Sequence, residues 1–277
     1  MGGRPVADAY KEKIREKAEV ARKAGKKVTL AILTAGQDPA SFVYRKRLLK
    51  MTESLGIESR CVELPETATT AEVVEAVRKL NGDPDITGIL PMMPMPKHIN
   101  SDAVGKALAP EKDTDCLNPL NGGALLTGKG RWAACTPRAC MAILKFYNIP
   151  LDGKHAVVLG RSNVVGKPVA LLLLQENCTV TVCHSHTKNL RSILRQADII
   201  VAAIGKAGFV TPDMVKPGAV IVDVGINVTE AGIVGDVAPE VAEKASAFTP
   251  VPGGVGPMTI ISLLKNTLLA GQHKIYE

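Results

Sequence analysis

The chain has 277 residues, of which 46% are apolar, and a formal net charge of +7. It is long enough for two lobes, and it contains no run of roughly 18 apolar residues that would span a membrane. Aromatic residues make up only 3%, too few for a stacking platform for single-stranded nucleic acid. The polar start is unlike a signal peptide, so we expect a soluble cytoplasmic protein that binds neither membrane nor nucleic acid.

The first half alternates apolar runs of strand length with helical patterns, which predicts an α/β fold with mainly parallel sheets. The predicted strands are 27–33, 57–64 and 86–90, and the predicted helices lie near 8–25, 40–55, 70–81 and 101–108. Basic residues alternate with acidic ones in 11–27, as on a solvated helix. A Pro-rich stretch, 90–96, follows the third strand and is expected to leave the sheet, because proline cannot donate to a ladder.

The second half continues the alternation. The predicted strands are 155–160, 178–184, 197–205, 218–225 and 246–251, and helices are predicted at 138–149 and 259–272. Between the first two of these strands, Gly160 and Gly166 resemble the outer glycines of a dinucleotide-binding turn, with Ser162 in the middle position. This loop alone is weak evidence, because an ordinary strand-to-helix turn also uses glycine.

The end of the second of these strands indicates which dinucleotide would bind. Proteins that read the ribose of NAD usually place an acid about 20 residues beyond the glycine turn. Here the region around Ser185 has no acid, and Ser185 and Arg161 could hold a 2′-phosphate. NADP is therefore favoured over NAD, unless Arg161 and Lys188 are only solvated.

Two irregular segments are candidate ligand loops. Residues 249–259 combine three prolines and three glycines, which indicates a shaped loop rather than a flexible hinge. Asp113 and Asp115 lie in a second loop, where a role in helix capping or plain solvation is the simpler reading. The six cysteines show no zinc-ligand spacing and are predicted to be reduced, mostly buried thiols. The isolated His98, His155 and His273 are expected to be satisfied or exposed, and no metal site is predicted.

The motifs together resemble the methylenetetrahydrofolate dehydrogenase/cyclohydrolase family, in the same order over nearly the whole chain. They are "PASFVY", "DTDCLNPLNGG", "CTPRA", "GRSNVVGKP", "VDVGIN" and "TPVPGGVGPMT". The resemblance implies a parallel-sheet, folate-binding α/β domain, 1–137, completed by a returning helix, 257–277. It also implies a Rossmann-like NADP-binding domain, 138–256, and a homodimer. The implied reaction is oxidation of 5,10-methylenetetrahydrofolate to the 5,10-methenyl form by hydride transfer to NAD(P), without a metal.

The resemblance also assigns roles to individual residues. Tyr44 would stack on the folate, Asp115 would hydrogen-bond the pterin, and Pro252 and Gly253 would shape the wall where pterin and nicotinamide meet. Residues expected to contact the cofactor are Thr136, Gly160, Arg161, Ser162, Val165, Gly166, Ser185 and Ile226.

Two positions depart from the family pattern. Members that also hydrolyse the methenyl product carry Lys four residues after the Tyr, where this chain has Leu48, and a Gln where it has Met92. Lys46 and Lys50 would point away from Tyr44 on a helix. We therefore expect a dehydrogenase whose cyclohydrolase activity is absent or very weak. The alternatives are a bifunctional enzyme that uses another base or a displaced Lys50, and a non-catalytic binding protein.

Overall fold

The computed structural model describes residues 1–36, 39–129, 133–230 and 232–271. The α-helices in these ranges are α1 (Gly3–Lys23), α2 (Pro39–Ser54), α3 (Thr70–Gly82), α4 (Ser101–Ala107), α5 (Pro119–Leu126), α6 (Cys135–Phe146), α7 (Gly166–Gln175), α8 (Leu190–Leu194) and α9 (Val255–Gly271). The strands are β1 (Thr29–Ala35), β2 (Glu58–Leu64), β3 (Gly88–Pro91), β4 (His155–Leu159), β5 (Thr179–Cys183), β6 (Ile199–Ala202), β7 (Val220–Asp223), β8 (Asn227–Thr229), β9 (Gly232–Val234) and β10 (Ala247–Phe248). This α/β architecture with parallel sheets confirms the predicted fold class.

The chain divides into two compact units. One, the three-stranded unit, comprises Ala9–Cys135 and the chain from Ile260 onward, and the other, the five-stranded unit, comprises Met1–Asp8 and Thr136–Thr259. The first eight residues therefore lie in the five-stranded unit, apart from the segment that follows them in the chain. The Gly3 amide donates to the Gly253 carbonyl (2.8 Å) and the Tyr147 hydroxyl donates to the Gly2 carbonyl (3.0 Å), which anchors this terminus in the five-stranded unit.

The three-stranded unit is built on a parallel sheet of order β2-β1-β3 within the described residues. All seven residues of the central strand β1 are buried, as expected for a parallel strand covered on both faces. Helix α3 begins with a capping box, in which Thr69 and Glu72 satisfy each other's backbone amides. Such a box is readable from sequence, and the prediction for this helix was accordingly within one residue of its observed bounds.

The five-stranded unit contains, in the described chain, a parallel sheet of order β10-β7-β6-β4-β5, with β8 and β9 paired antiparallel beside it. Strands β4, β6 and β7 lie inside the sheet and are almost wholly buried. Because the carboxyl ends of parallel strands meet at one edge, the loops after β4, β5, β6, β7 and β10 share that edge. This arrangement is Rossmann-like, as predicted.

Several element bounds differ from the sequence predictions. Helix α6 ends early, since Asn148 just beyond it has a left-handed φ of 52°. Helix α9 begins at Val255 and contains Pro257 in its first turn, where a missing amide costs no helical hydrogen bond. Strand β10 is only two residues long because the prolines that follow cannot extend the ladder. Pro91 still belongs to β3, and the next amide, of Met92, donates to the Leu33 carbonyl (2.8 Å).

Helix α5 was not predicted. Its sequence contains two adjacent glycines, which disfavour helix and favour an irregular loop. The start is nevertheless well specified, because the Asn118 side chain accepts a hydrogen bond from the Leu120 amide and Pro119 occupies the first turn. None of the six cysteines, all within the described ranges, forms a disulfide.

Candidate functional site

Helix α2 directs Tyr44 and Leu48 inward and its lysines outward. Tyr44 is half-buried and Leu48 is fully buried (0% exposed), whereas Lys46 and Lys50 are exposed. Residues four apart share a helix face, so this placement follows from the helical repeat. Lys50 therefore does not share the buried position of Leu48.

Of the three cations at 45–47, Arg45 is not solvated surface. Its side chain is only 16% exposed, and its guanidinium lies 2.8 Å from the Glu63 carboxylate. The same guanidinium lies over the ring of Phe42 at 5.6 Å. Arg45 thus connects α2 to strand β2, while Lys46 and Arg47 are exposed.

Asp113 is buried and hydrogen-bonded to the chain that leads into α5. Its buried carboxylate accepts hydrogen bonds from the Leu117 amide (3.1 Å), the Asn118 amide (2.8 Å) and the Asn121 side chain (2.9 Å). Burial raises the pKa of Asp113 to about 6, although these hydrogen bonds act in the opposite direction. Asp113 therefore shapes the turn into α5, which agrees with the capping role weighed from sequence.

Asp115 is placed differently, half-buried and beside Cys135. One of its carboxylate oxygens accepts a hydrogen bond from the Cys135 amide at 2.7 Å. Burial raises the pKa of Asp115, while hydrogen bonds from Cys135 lower it. Burial, with smaller contributions from Cys135 and Asp115, also raises the pKa of Tyr44 well above its ordinary value. Tyr44 thus keeps its proton within electrostatic reach of a potential acceptor, Asp115.

Met92 follows β3 and is 6% exposed. Like Leu48, it lies in the interior of the three-stranded unit. A thioether is at most a weak acceptor and an isobutyl group has no polar atom. Neither side chain can therefore orient a water molecule or carry its proton.

The loop between β4 and α7 has the close backbone approach that a dinucleotide loop requires. Gly160 has a φ of 121°, and a Cβ there would lie 2.2 Å from the Ala203 carbonyl oxygen. A Cβ on Gly166 would lie 2.2 Å from the Gly160 carbonyl oxygen. Only glycine fits these two positions, so the outer glycines identified from sequence are structurally required.

Ser162 and Val165 lie at the start of α7. The Ser162 hydroxyl accepts hydrogen bonds from the amides of Val165 (3.1 Å) and Gly166 (3.3 Å). Val165 is the residue before the helix and supplies no side-chain cap of its own. Ser162 therefore caps α7 from within the loop, a function that sequence reasoning had not assigned to it.

Arg161 and Ser185 are exposed at the same sheet edge. Leu159 pairs with Cys183 at the ends of β4 and β5, and the Gly160 amide donates to the Cys183 carbonyl at 2.9 Å. Desolvation and then the positive charge of Arg161 lower the pKa of His184, which places the guanidinium close to the residue before Ser185. Arg161 and Ser185 thus lie on neighbouring loops at this edge.

The remaining predicted residues, two for the folate wall and two for the cofactor, are distributed as follows. Ile226 is 67% exposed just after β7, and Pro252 and Gly253 are exposed after β10, with Gly253 at a φ of 104°. All three lie on loops at the carboxyl edge shared with Gly160. Thr136 is half-buried in the first turn of α6 instead.

Two buried aspartates that sequence reasoning missed hold these loops. Asp236 accepts hydrogen bonds from three consecutive amides after β6, those of Ile204 (2.6 Å), Gly205 (3.0 Å) and Lys206 (2.8 Å). It also accepts from the Asn227 side chain at 2.9 Å, which fixes the residue after Ile226.

Asp223 accepts from the amides of Gly225 (2.9 Å), Asp236 (2.9 Å) and Val237 (3.0 Å). The available sequence signal was an acid that directly ends the apolar strand β7. Asp223 and Asp236 together orient the loops that carry Ile226 and Lys206.

No group of three or more acidic, His or Cys side chains that could hold a metal occurs in the described ranges. Within the same ranges, no helix has both the length and the apolar character to cross a bilayer. His98 and His155 each lie within hydrogen-bond distance of a protein oxygen, as predicted. His273 is outside the described residues.

Comparison with known proteins identifies the family. Residues 1–115 match the model of the tetrahydrofolate dehydrogenase/cyclohydrolase catalytic domain, and residues 134–275 match the model of its NAD(P)-binding domain. The bifunctional protein FolD of Methanospirillum hungatei is 53% identical over 240 residues, 86% of each chain.

Two solved structures of this family are similar to this chain over almost its whole length. The bifunctional FolD methylenetetrahydrofolate dehydrogenase/cyclohydrolase from Campylobacter jejuni is 42% identical, with a TM-score of 0.96 over 99% of this chain and 98% of that one. The methylenetetrahydrofolate dehydrogenase-cyclohydrolase of Trypanosoma brucei, complexed with NADP and an inhibitor, is 36% identical, with a TM-score of 0.92 over 99% and 97%. The chain belongs to the tetrahydrofolate dehydrogenase/cyclohydrolase family, and its C-terminal domain is of the kind that binds a nicotinamide dinucleotide.

Proposed function

We propose that this protein oxidises 5,10-methylenetetrahydrofolate to 5,10-methenyltetrahydrofolate with NADP, and that its cyclohydrolase activity is absent or very weak. The proposed loss of cyclohydrolase activity rests on one observation: Leu48 is fully buried at the position where hydrolysing relatives are expected to have Lys. The first half rests on family membership and on the residues retained for the two ligands. Residues 1–137 with 257–277 would bind the folate, and 138–256 would bind the cofactor.

On the folate side, Tyr44 and Asp115 would bind and orient the substrate. Tyr44 would stack on the aminobenzoyl ring, and its retained proton keeps the ring neutral beside the carboxylate. Asp115 would accept hydrogen bonds from the pterin, a charge-assisted contact that is stronger than one between neutral groups. Pro252 and Gly253 would form the wall where the pterin and nicotinamide rings meet.

When bound, NADP would accept a hydride from the methylene carbon and become NADPH. The residues that would hold it are Thr136, Gly160, Arg161, Ser162, Val165, Gly166, Ser185 and Ile226. The close backbone packing at Gly160 and Gly166 supports this assignment, because a dinucleotide loop needs such a tight turn to present its backbone amides to a phosphate. Hydride transfer depends mainly on alignment, so these contacts contribute by positioning.

NADP rather than NAD is proposed because Arg161 and Ser185 are exposed donors on neighbouring loops and 184–188 contains no acid. Replacing Ser185 by Asp is expected to raise the KM for NADP by about 10- to 100-fold, through loss of a hydrogen bond to a charged group and added repulsion. The KM for NAD should change little. Steady-state kinetics with both cofactors measure this.

Ser185→Ala is the matched control, because it removes the hydrogen bond without adding charge. Its KM for NADP should lie between those of the wild type and Ser185→Asp. Equal effects of Ser185→Asp on NADP and NAD would contradict a contact with the 2′-phosphate.

Loss of cyclohydrolase activity follows from the proton chemistry of hydrolysis. Attack of water on the methenyl carbon needs a group that orients the water and takes its proton. Leu48 and Met92 supply neither function. Replacement of both partners by apolar side chains can leave stability nearly unchanged, whereas loss of only one would leave a polar group unpaired.

A second candidate is a bifunctional dehydrogenase and cyclohydrolase. It is favoured by the relatives from Methanospirillum hungatei and Campylobacter jejuni, both of which are named bifunctional. In that case another base would serve the hydrolysis, and the search would begin with Lys50.

The deciding assay follows NADPH formation and methenyltetrahydrofolate absorbance together, starting from methylenetetrahydrofolate and NADP. We expect methenyltetrahydrofolate to accumulate one for one with NADPH. A second reaction supplies methenyltetrahydrofolate alone, and its decay should match the rate without enzyme. Clear acceleration of that decay would establish the bifunctional alternative, and absence of NADPH formation would refute the dehydrogenase.

A cytoplasmic homodimer is part of the same proposal and rests on the resemblance to the family. Light scattering on the purified protein tests the dimer, and a mass equal to one chain would contradict it.

A further inference from the structure

A buried asparagine in α9, Asn266, connects two chain segments of the three-stranded unit, and both segments are far from it in sequence. Asn266 is 0% exposed, and its side-chain nitrogen donates to the Thr114 carbonyl (2.8 Å) and the Ala133 carbonyl (3.1 Å). These partners are 152 and 133 residues away in the chain. One amide group therefore fixes the separation of the two segments.

The orientation of this amide is determined by its surroundings. Reversing it would direct the Asn266 oxygen at two carbonyl oxygens, which repel it. The sulfur of Cys135, 3.8 Å from the same nitrogen, is a further weak acceptor. Both amide protons are thus used on the two carbonyls.

The oxygen of Asn266 is buried, and it accepts no hydrogen bond from any residue that the structure describes. An unpaired buried acceptor destabilises a fold, since it has lost its hydration without replacement. Hydrophobic packing alone would therefore favour an apolar residue here. The constraint that Asn266 places on the two segments is the better explanation for its presence.

Both segments lead to the hydrogen bond that orients Asp115. Thr114 immediately precedes Asp115, and Ala133 lies two residues before Cys135, whose amide donates to the Asp115 carboxylate at 2.7 Å. The Cys135 thiol also donates to the Thr114 carbonyl at 3.4 Å. Asn266 thus fixes the chain beside both the acceptor, Asp115, and the donor, Cys135, of this hydrogen bond.

We propose that Asn266 is a positioning residue for the folate site, which sets the direction of the Asp115 carboxylate through Thr114 and Ala133. This inference rests on the proposed function, in which Asp115 binds the pterin. Asn266 itself does not contact substrate in this proposal. Its effect should appear in folate binding and be absent from cofactor binding.

The test variant is Asn266→Asp, which keeps the size of the side chain but replaces the two-proton donor by a group that repels both carbonyls. We expect the Kd for tetrahydrofolate to rise by about tenfold or more, as for loss of a hydrogen bond to a charged group. The Kd for NADP should be unchanged. Calorimetry with each ligand separately measures both constants, and circular dichroism verifies folding.

Asn266→Ala is the second variant, for use if the first does not fold. It leaves room for water at the two carbonyls and should raise the same Kd to a smaller extent. The matched control is Leu264→Ala, which leaves a cavity in the same helix by truncating a fully buried side chain that cannot hydrogen-bond either carbonyl. It should lower Tm while leaving the Kd for tetrahydrofolate as in wild type.

The outcomes separate this inference from the proposed function. Wild-type activity with a clear effect of Asp115→Asn, but an unchanged Kd for tetrahydrofolate in both Asn266 variants, overturns the positioning role alone. An equal rise in Leu264→Ala also overturns it, because general destabilisation would then explain the result. If Asp115→Asn binds tetrahydrofolate as well as wild type, the proposed role of Asp115 is wrong and the inference fails with it.

Discussion

Replacing Leu48 by Lys and Met92 by Gln in one chain is expected to produce an enzyme that clears methenyltetrahydrofolate well above the spontaneous rate. The amine of the new Lys would orient the attacking water and accept its proton, and the amide of the new Gln would hydrogen-bond the amine. General acid–base catalysis of this kind contributes about 10²- to 10⁴-fold. Dehydrogenase activity should persist, because hydride transfer uses neither position as a proton donor or acceptor.

The two substitutions together should destabilise the fold by less than the sum of their separate effects. Leu48 is fully buried, so Leu48→Lys alone would bury an unpaired charge at a cost of about 3 to 5 kcal/mol. Met92→Gln alone would bury an unpaired amide at about 1 to 3 kcal/mol. If the new side chains hydrogen-bond to each other, a double-mutant cycle of wild type, the two single variants and the double variant should show it. The coupling in the free energy of unfolding should be favourable by about 0.5 to 3 kcal/mol.

Denaturant unfolding of the four proteins measures the coupling, and the decay of methenyltetrahydrofolate absorbance measures the gained activity. Lys50→Leu in the otherwise unchanged chain is the matched control, since Lys50 is exposed and should not affect hydrolysis. A folded double variant that does not exceed the uncatalysed rate would contradict the assignment of positions 48 and 92. Loss of a wild-type hydrolytic activity in Lys50→Leu would favour the bifunctional enzyme.

Gly166→Ala should lower NADP affinity by about 100-fold or more. Its new Cβ would lie 2.2 Å from the carbonyl oxygen of Gly160, 2.6 Å from the carbonyl carbon and 2.9 Å from the Arg161 nitrogen. These are backbone atoms, so the loop itself must move, and a displacement of about 1 Å in a binding site can reduce function by two orders of magnitude. Titration with NADP measures the loss, and tetrahydrofolate binding should be retained.

Gly122→Ala is the control for the same chemical change. Gly122 is exposed in α5, and a Cβ there would meet no heavy atom within 4 Å. Alanine is the better helix former, so this variant should be more stable by about 0.5 to 1 kcal/mol, with unchanged affinity for NADP. Normal NADP binding by a folded Gly166→Ala would show that the loop does not approach the cofactor.

Elements with local signals could be predicted from the sequence. Helix α3 carries its capping box within four residues, and β1 contains the apolar run 30–33, so both are recognisable without tertiary information. The outer glycines of the 160–166 loop were also identifiable, because their spacing is part of a known turn. Helix α5 was missed, since its paired glycines outweighed the capping signal of Asn118 and Pro119.

The candidate site was predicted in part. Sequence could list Asp113 and Asp115 together, but only the structure separates them, because Asp113 is enclosed by amides while Asp115 faces Cys135 and Tyr44. Likewise, a run of three cations gives no indication that Arg45 alone is held by Glu63.

By itself, the sequence determined the α/β alternation, the family and the two apolar replacements at Leu48 and Met92. These properties are carried by residue type, spacing and helical repeat over short stretches. Only the tertiary structure decided which unit holds the first eight residues, that Asp223 and Asp236 anchor the loops after β6 and β7, and that the Asn266 amide joins Thr114 to Ala133. Such contacts join residues that can be more than 100 positions apart, and no local pattern specifies which buried donor will meet which acceptor.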